Sequence, residues 1–172
     1  MHRIIGYLFI LAGCSGLGIW YSVQFRLQVR NLQVMCRILE QFIGLIRYGR
    51  STLPECCLQL SQRVEEPYKS CLYKIYRENL KYDGTGFGYL CERTFAEGLK
   101  KLIVSKEHKE LFILGFSKVG FEEDRMQIRN IEQIKEELEE GLVSLSKENA
   151  SKCKIAISLG AMSGLLLVIL FL

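Results

Sequence analysis

The chain has 172 residues, 49% of them apolar and 24% charged, which leaves room for one domain or for one domain with membrane anchors. Its 23 basic and 19 acidic side chains give a formal charge of +4, and they do not interleave with aromatic residues as they would on a nucleic-acid platform. Two histidines and no C-x-x-C leave little from which to build a metal site or an acid–base pair, so neither an enzyme nor a cofactor is expected.

The first element is apolar. Ile4 to Phe25 is a run of 22 residues without charge, and as a helix it would span about 33 Å, enough for a hydrocarbon core of about 30 Å. Trp20 and Tyr21 suit the headgroup level. Leu11-Ala-Gly-Cys14 has the form of a lipoprotein signal end, yet the apolar run goes on for eleven residues past Cys14 instead of giving way to a polar tether. A membrane crossing with Cys14 at mid-bilayer is therefore expected, and acylation at Cys14 with an exported domain is the alternative. No breaker follows. Leu32, Met35, Leu39, Phe42 and Ile46 recur at helical spacing, so one helix is expected to continue to Tyr48, with Gly49 as its cap.

Thr52-Leu53-Pro54-Glu55 reads as a capping box and starts a short helix with Cys56, Leu60 and Val64 on one face. Pro67 opens another, with Cys71, Leu72, Ile75 and Leu80. Asp83 to Gly88 reads as a loop. Its glycines lack the Lys-Ser/Thr that a phosphate cradle requires. A fourth helix carries Cys91, Phe95, Leu99 and Leu102. Ser105 caps a fifth, with Leu111, Leu114 and Phe116, in which His108 reads as a solvated surface residue. The last helix begins after Gly120, with acids at its N-terminus, and carries Ile128, Ile131, Ile134, Leu138, Leu142 and Leu145.

That last helix runs into a second uncharged stretch, the 18 residues from Ile155 to Leu172. Arg26, Arg30 and Arg37 follow the first run, and Lys147, Lys152 and Lys154 precede the second, so the middle is expected on the cytoplasmic side. Small residues four apart, Ala12 and Gly16 in the first run and Ala156, Gly160 and Gly164 in the second, would let membrane helices approach closely, within one chain or between two. The seven cysteines form no disulfide framework and read as small buried side chains of a reducing compartment. Residues 26–103 hold 13 basic and 8 acidic groups, whereas 104–154 hold 9 and 11. The acidic run Glu136, Glu137, Glu139 and Glu140 is either a solvated helix face or a docking face for a basic partner.

Together these readings predict an all-α, membrane-anchored bundle of about six helices. Residues 1–25 and 155–172 are its transmembrane helices, 26–154 its cytoplasmic bundle. The ordered series Ile46-Arg-Tyr48-Gly49, Thr52-Leu53-Pro54, Phe95-Ala-Glu-Gly-Leu99-Lys-Lys-Leu102, Val119-Gly120 with Glu123 and Gln127, Asn149, and the closing Gly164-Leu-Leu-Leu-Val-Ile-Leu resembles the stage III sporulation protein AB family of endospore-forming bacteria. The chain departs from that family's pattern at Gly115-Phe116, where members tend to read Phe-Gly, and at Glu123, where they usually have Asp.

The resemblance implies a bundle like the cytoplasmic domain of the type II secretion F protein. It also implies a place in the mother-cell membrane facing the forespore. The partners it implies are stage III sporulation protein AA, a secretion-type ATPase, and other membrane proteins of one channel complex. A homo-oligomer is open, and no nucleic acid is expected. On this reading Tyr48, Gly49, Leu53 and Pro54 shape the first interhelical corner, and Gly120, Glu123 and Gln127 the last. A membrane-tethered coiled-coil spacer is the rival structural reading.

Overall fold

The computed structural model describes the backbone of residues 2–49, 51–81, 84–119 and 124–170; within them, side chains are described for residues 16, 19, 20, 22–49, 51–81, 84–119, 126–148, 155, 158 and 162. Among the described residues six α-helices follow one another: α1 (His2–Tyr48), α2 (Leu53–Ser61), α3 (Tyr68–Asn79), α4 (Phe87–Gly98), α5 (Lys106–Ser117) and α6 (Asp124–Leu170). No strand occurs among the described residues. The first and last helices are long, as the unbroken apolar and helical patterning of both ends requires. Among the described residues no helix is long and apolar enough to cross a membrane. Most side chains of the two uncharged runs, Cys14 among them, lie outside the described residues.

The chain divides into two compact units. One comprises residues 1–30 and 143–172, the other Asn31–Leu142. In the second unit the apolar stripe of α1 is buried as its spacing demands, with Leu32, Met35, Leu39 and Phe42 fully enclosed. Four phenylalanines make the centre. Phe42 of α1 stacks on Phe116 of α5 at 4.4 Å between ring centroids, while Phe95 of α4 sits 5.3 Å from Phe112 and 5.0 Å from Phe116. Offset and edge-on rings of this kind add about 0.5–1.5 kcal/mol per pair beyond their burial.

Helix directions follow from cross-helix contacts. Lys74 pairs with Glu97 at 3.3 Å and Glu78 with Arg93 at 2.8 Å, so α3 and α4 are antiparallel. α4 and α5 are antiparallel too, because Gly88 meets the Ser117 carbonyl while Phe95 meets Phe112. α5 and α6 follow suit, with Gly115 against Ile134 and His108 against Gly141.

Glycines make these approaches possible. A Cβ at Gly88 would overlap the Ser117 carbonyl oxygen, so the residue read as the end of a loop is a buried helical contact point instead. The turn before it uses Gly84, whose φ of +78° suits glycine.

Several side chains depart from their expected places. Leu80 is exposed at the C-cap of α3, and Val64 lies beyond the end of α2, because both helices end before those residues return to the buried face. In α5 Phe116 is fully buried as expected, but the residue buried beside it is Phe112, with Leu111 and Leu114 only half-buried. The helix is rotated so that Gly115 faces Leu39, where a Cβ would come within 2.9 Å of Cδ2.

Candidate functional site

The first corner is built from its cap. The Thr52 N–H donates to Glu55 Oε2 at 2.8 Å and the Cys56 N–H to the Thr52 carbonyl at 2.9 Å, so the capping signal in the sequence starts α2 where expected. Leu53 and Pro54 are half-buried there. Gly49 closes α1 by donating to the Leu45 carbonyl at 2.8 Å. Tyr48 is 83% exposed, which gives it no part in packing the corner. Arg47 beside it pairs with Glu132 of α6, and that carboxylate holds the guanidinium pKa above its ordinary value. At the last corner Gly120 and Glu123 lie outside the described residues. Gln127 is buried on the inner face of α6.

The acidic run does not form one face. At about 100° per residue, Glu136 and Glu140 stand together on the outer ridge of α6, Glu139 turns to one flank and Glu137 to the other. Glu139 pairs with Lys135 at 3.1 Å, and its charge reaches Cys36 of α1. The Lys135 ammonium is in turn held above its usual range by that carboxylate. Glu136, Glu137 and Glu140 form no ion pair among the described residues. Two clefts flank the ridge. One of about 250 Å³ lies toward α1, lined by Glu40, Arg47, Glu132, Lys135 and Glu136. The other, of about 560 Å³, lies toward α5, lined by Ser117, Lys118, Asn130, Gln133 and Glu137 among others. The result is a charged ridge between two grooves.

Nucleophilic chemistry is disfavoured where it can be described. Cys36, Cys56, Cys57, Cys71 and Cys91 are free and buried. Burial pushes the thiols of Cys36 and Cys71 up to about 11 and raises those of Cys56, Cys57 and Cys91, so they stay protonated and unreactive. Among the described residues no group of His, Cys, Asp and Glu is arranged to hold a metal ion.

His108 is not the solvated surface residue its neighbours suggest. Its Nδ1 lies 2.6 Å from Ser105 Oγ, and its ring fills the space that a Cβ on Gly141 would occupy. The Ser105 Oγ also accepts from the His108 N–H at 3.2 Å, as an N-cap should. The signal that could have revealed the contact is Gly141, an otherwise unexplained glycine inside a long helix.

Of the small residues spaced four apart in the two apolar runs, Gly16 is exposed, and a Cβ there would meet nothing within 4 Å. Ala12, Ala156, Gly160 and Gly164 lie outside the described side chains.

The described residues form an all-helical bundle with a charged ridge and buried thiols. The chain belongs to the stage III sporulation protein AB family, whose model matches residues 3–172. That is a family of structural sporulation proteins and not a known enzyme family. No curated protein and no solved structure matches the chain.

Proposed function

We propose that this protein is a non-enzymatic, two-pass platform in the mother-cell membrane, part of a secretion-like channel between mother cell and forespore. Its helical bundle faces the cytoplasm and couples the stage III sporulation protein AA ATPase to the membrane proteins of the complex. The ridge of α6 is its protein-docking surface, with Glu136, Glu137 and Glu140 free to meet a basic partner.

The observation that carries this reading is a reversal of surface chemistry. Ile19, Trp20, Val23, Ile155 and Met162 are exposed in the unit formed by the two chain ends, whereas the exposed α6 ridge of Asn31–Leu142 is charged. Large apolar side chains pointing outward suit lipid, and unpaired carboxylates suit water or a basic protein. The four short helices, two of which build a phenylalanine core with α1, argue against a coiled-coil spacer, which has no use for them.

Two measurements test the reading. An impermeant thiol reagent on intact cells should label a cysteine appended after Leu172 and spare one introduced at exposed Tyr48; the opposite pattern overturns the topology. The native Cys56 and Cys57 are too buried to report. Capture of the ATPase should fall when Glu136, Glu137 and Glu140 are reversed to Lys, and undiminished capture removes the ridge from the coupling.

A further inference from the structure

The outward face of α3 is the counterpart of the α6 ridge. Lys69, Tyr73 and Arg77 follow at one-turn steps, and Leu80 and Lys81 continue the row past the helix end; all five are exposed. Tyr76 stands beside Tyr73 with ring centroids 6.5 Å apart, giving the row an aromatic patch. Lys69, Arg77 and Lys81 form no ion pair among the described residues, while Lys74 and Arg93 next to them are taken by Glu97 and Glu78. An exposed aromatic patch framed by unpaired cations is a binding surface for an acidic helix.

We infer that the acidic helix it receives is α6 of a second copy of this chain. Charge complementarity selects that occupant, since one molecule carries both rows and they cannot meet within it: α3 is packed on α4, and α6 on α5 and α1. Direction agrees. The antiparallel steps from α3 through α4 and α5 make α3 antiparallel to α6, so two copies standing side by side in one orientation oppose the rows without inversion.

Level agrees as well. Cys71 lies against Gly98 and His108 against Gly141, which brings Arg77 to about the height of Glu136 and Tyr73 to that of Glu140, with Lys69 about one turn beyond. The contact is heterologous, head to tail, and leaves a free row on each side of a pair. It therefore propagates into a ring or an open array. This inference rests on the ridge being a protein-docking surface and supplies its partner.

The test uses the full chain in detergent, with molar mass followed against concentration. Wild-type protein should self-associate, more weakly as salt rises. Reversing the α3 row (Lys69→Glu with Arg77→Glu) or the α6 row (Glu136→Lys with Glu140→Lys) should weaken association about tenfold or more. The chain carrying all four reversals should regain it, which a folding defect cannot imitate. Single-row variants that associate like wild type, or a four-fold variant that does not recover, would overturn the inference.

Other results separate it from the reading beneath it. A wild-type chain that stays monomeric, yet loses ATPase capture when the α6 row is reversed, sinks the self-contact and leaves the docking ridge standing. Self-association with full rescue and unchanged ATPase capture does the reverse. A monomeric chain whose α3 row instead binds phosphatidylglycerol vesicles gives that row to a lipid surface and overturns the self-contact.

Discussion

One helix lives under two rules. In the part of α1 that belongs to Asn31–Leu142, Leu32, Met35, Leu39 and Phe42 are buried and Arg37 and Glu40 exposed. A few turns earlier Ile19, Trp20 and Val23 are exposed and Ser22 is buried. The helical spacing is the same in both places, and the polarity of the outward face is inverted. On the proposed two-pass topology, a helix's apolar stripe identifies its core only in the part that water surrounds. Where apolar groups ring the whole helix, the small or polar residue marks the inner side.

The largest effect that would break this comparison belongs to the core. Phe95→Ala removes a ring touching both Phe112 and Phe116, and should cost about 3–5 kcal/mol in denaturant unfolding of the bundle. Trp20→Ala, although it deletes a larger side chain, should change that same transition by about 0.5 kcal/mol or less, because Trp20 is 60% exposed. A comparable loss at both positions would mean that the two parts of α1 do not differ as described.

Gly88→Ala comes next. Gly88 is the second residue of α4, where alanine would suit the helix, but its methyl meets the rigid Ser117 carbonyl. A net loss of about 2 kcal/mol is expected by thermal or chemical unfolding, in the range that overpacking imposes. A stabilised variant would show that α4 and α5 can separate at that crossing.

Ser105→Ala should cost about 1 kcal/mol through the lost cap on α5, and should also shift the His108 ring resonances, since the hydroxyl touches that ring. The subtlest effect is alkaline. Cys36 and Cys71 have folded pKa values near 11 against 9.0 for a free thiol, so the unfolded chain loses those protons first. Their contribution to stability is whole below about pH 9 and lost as pH rises through about 11. Unfolding free energy should fall over that window, and a Cys36→Ala variant should fall less steeply.

Much of this was legible in the sequence because local chemistry dictated it. The Thr52–Glu55 box, the Ser105 cap, the α1 stripe and the burial of five cysteines each follow from a few neighbouring residues. What escaped depends on residues far apart. Phe112 displaces Leu111 and Leu114 from the core because Gly115 admits Leu39 from another helix, a fact no window around α5 contains. The four glutamates read as one face in a linear string, but helical rotation divides them between a ridge and its two flanks. Leu80 looked no different from Cys71, Leu72 and Ile75, and its exposure is decided by where α3 ends.

The crossing at Gly88 has an evolutionary corollary. A position that tolerates only hydrogen as its side chain filters variants before any partner is encountered, so constancy there would measure the need to fold. Arg77 and Glu136, which touch no core, are free of that filter. Paired drift between those two codons across lineages would be the historical trace of recognition.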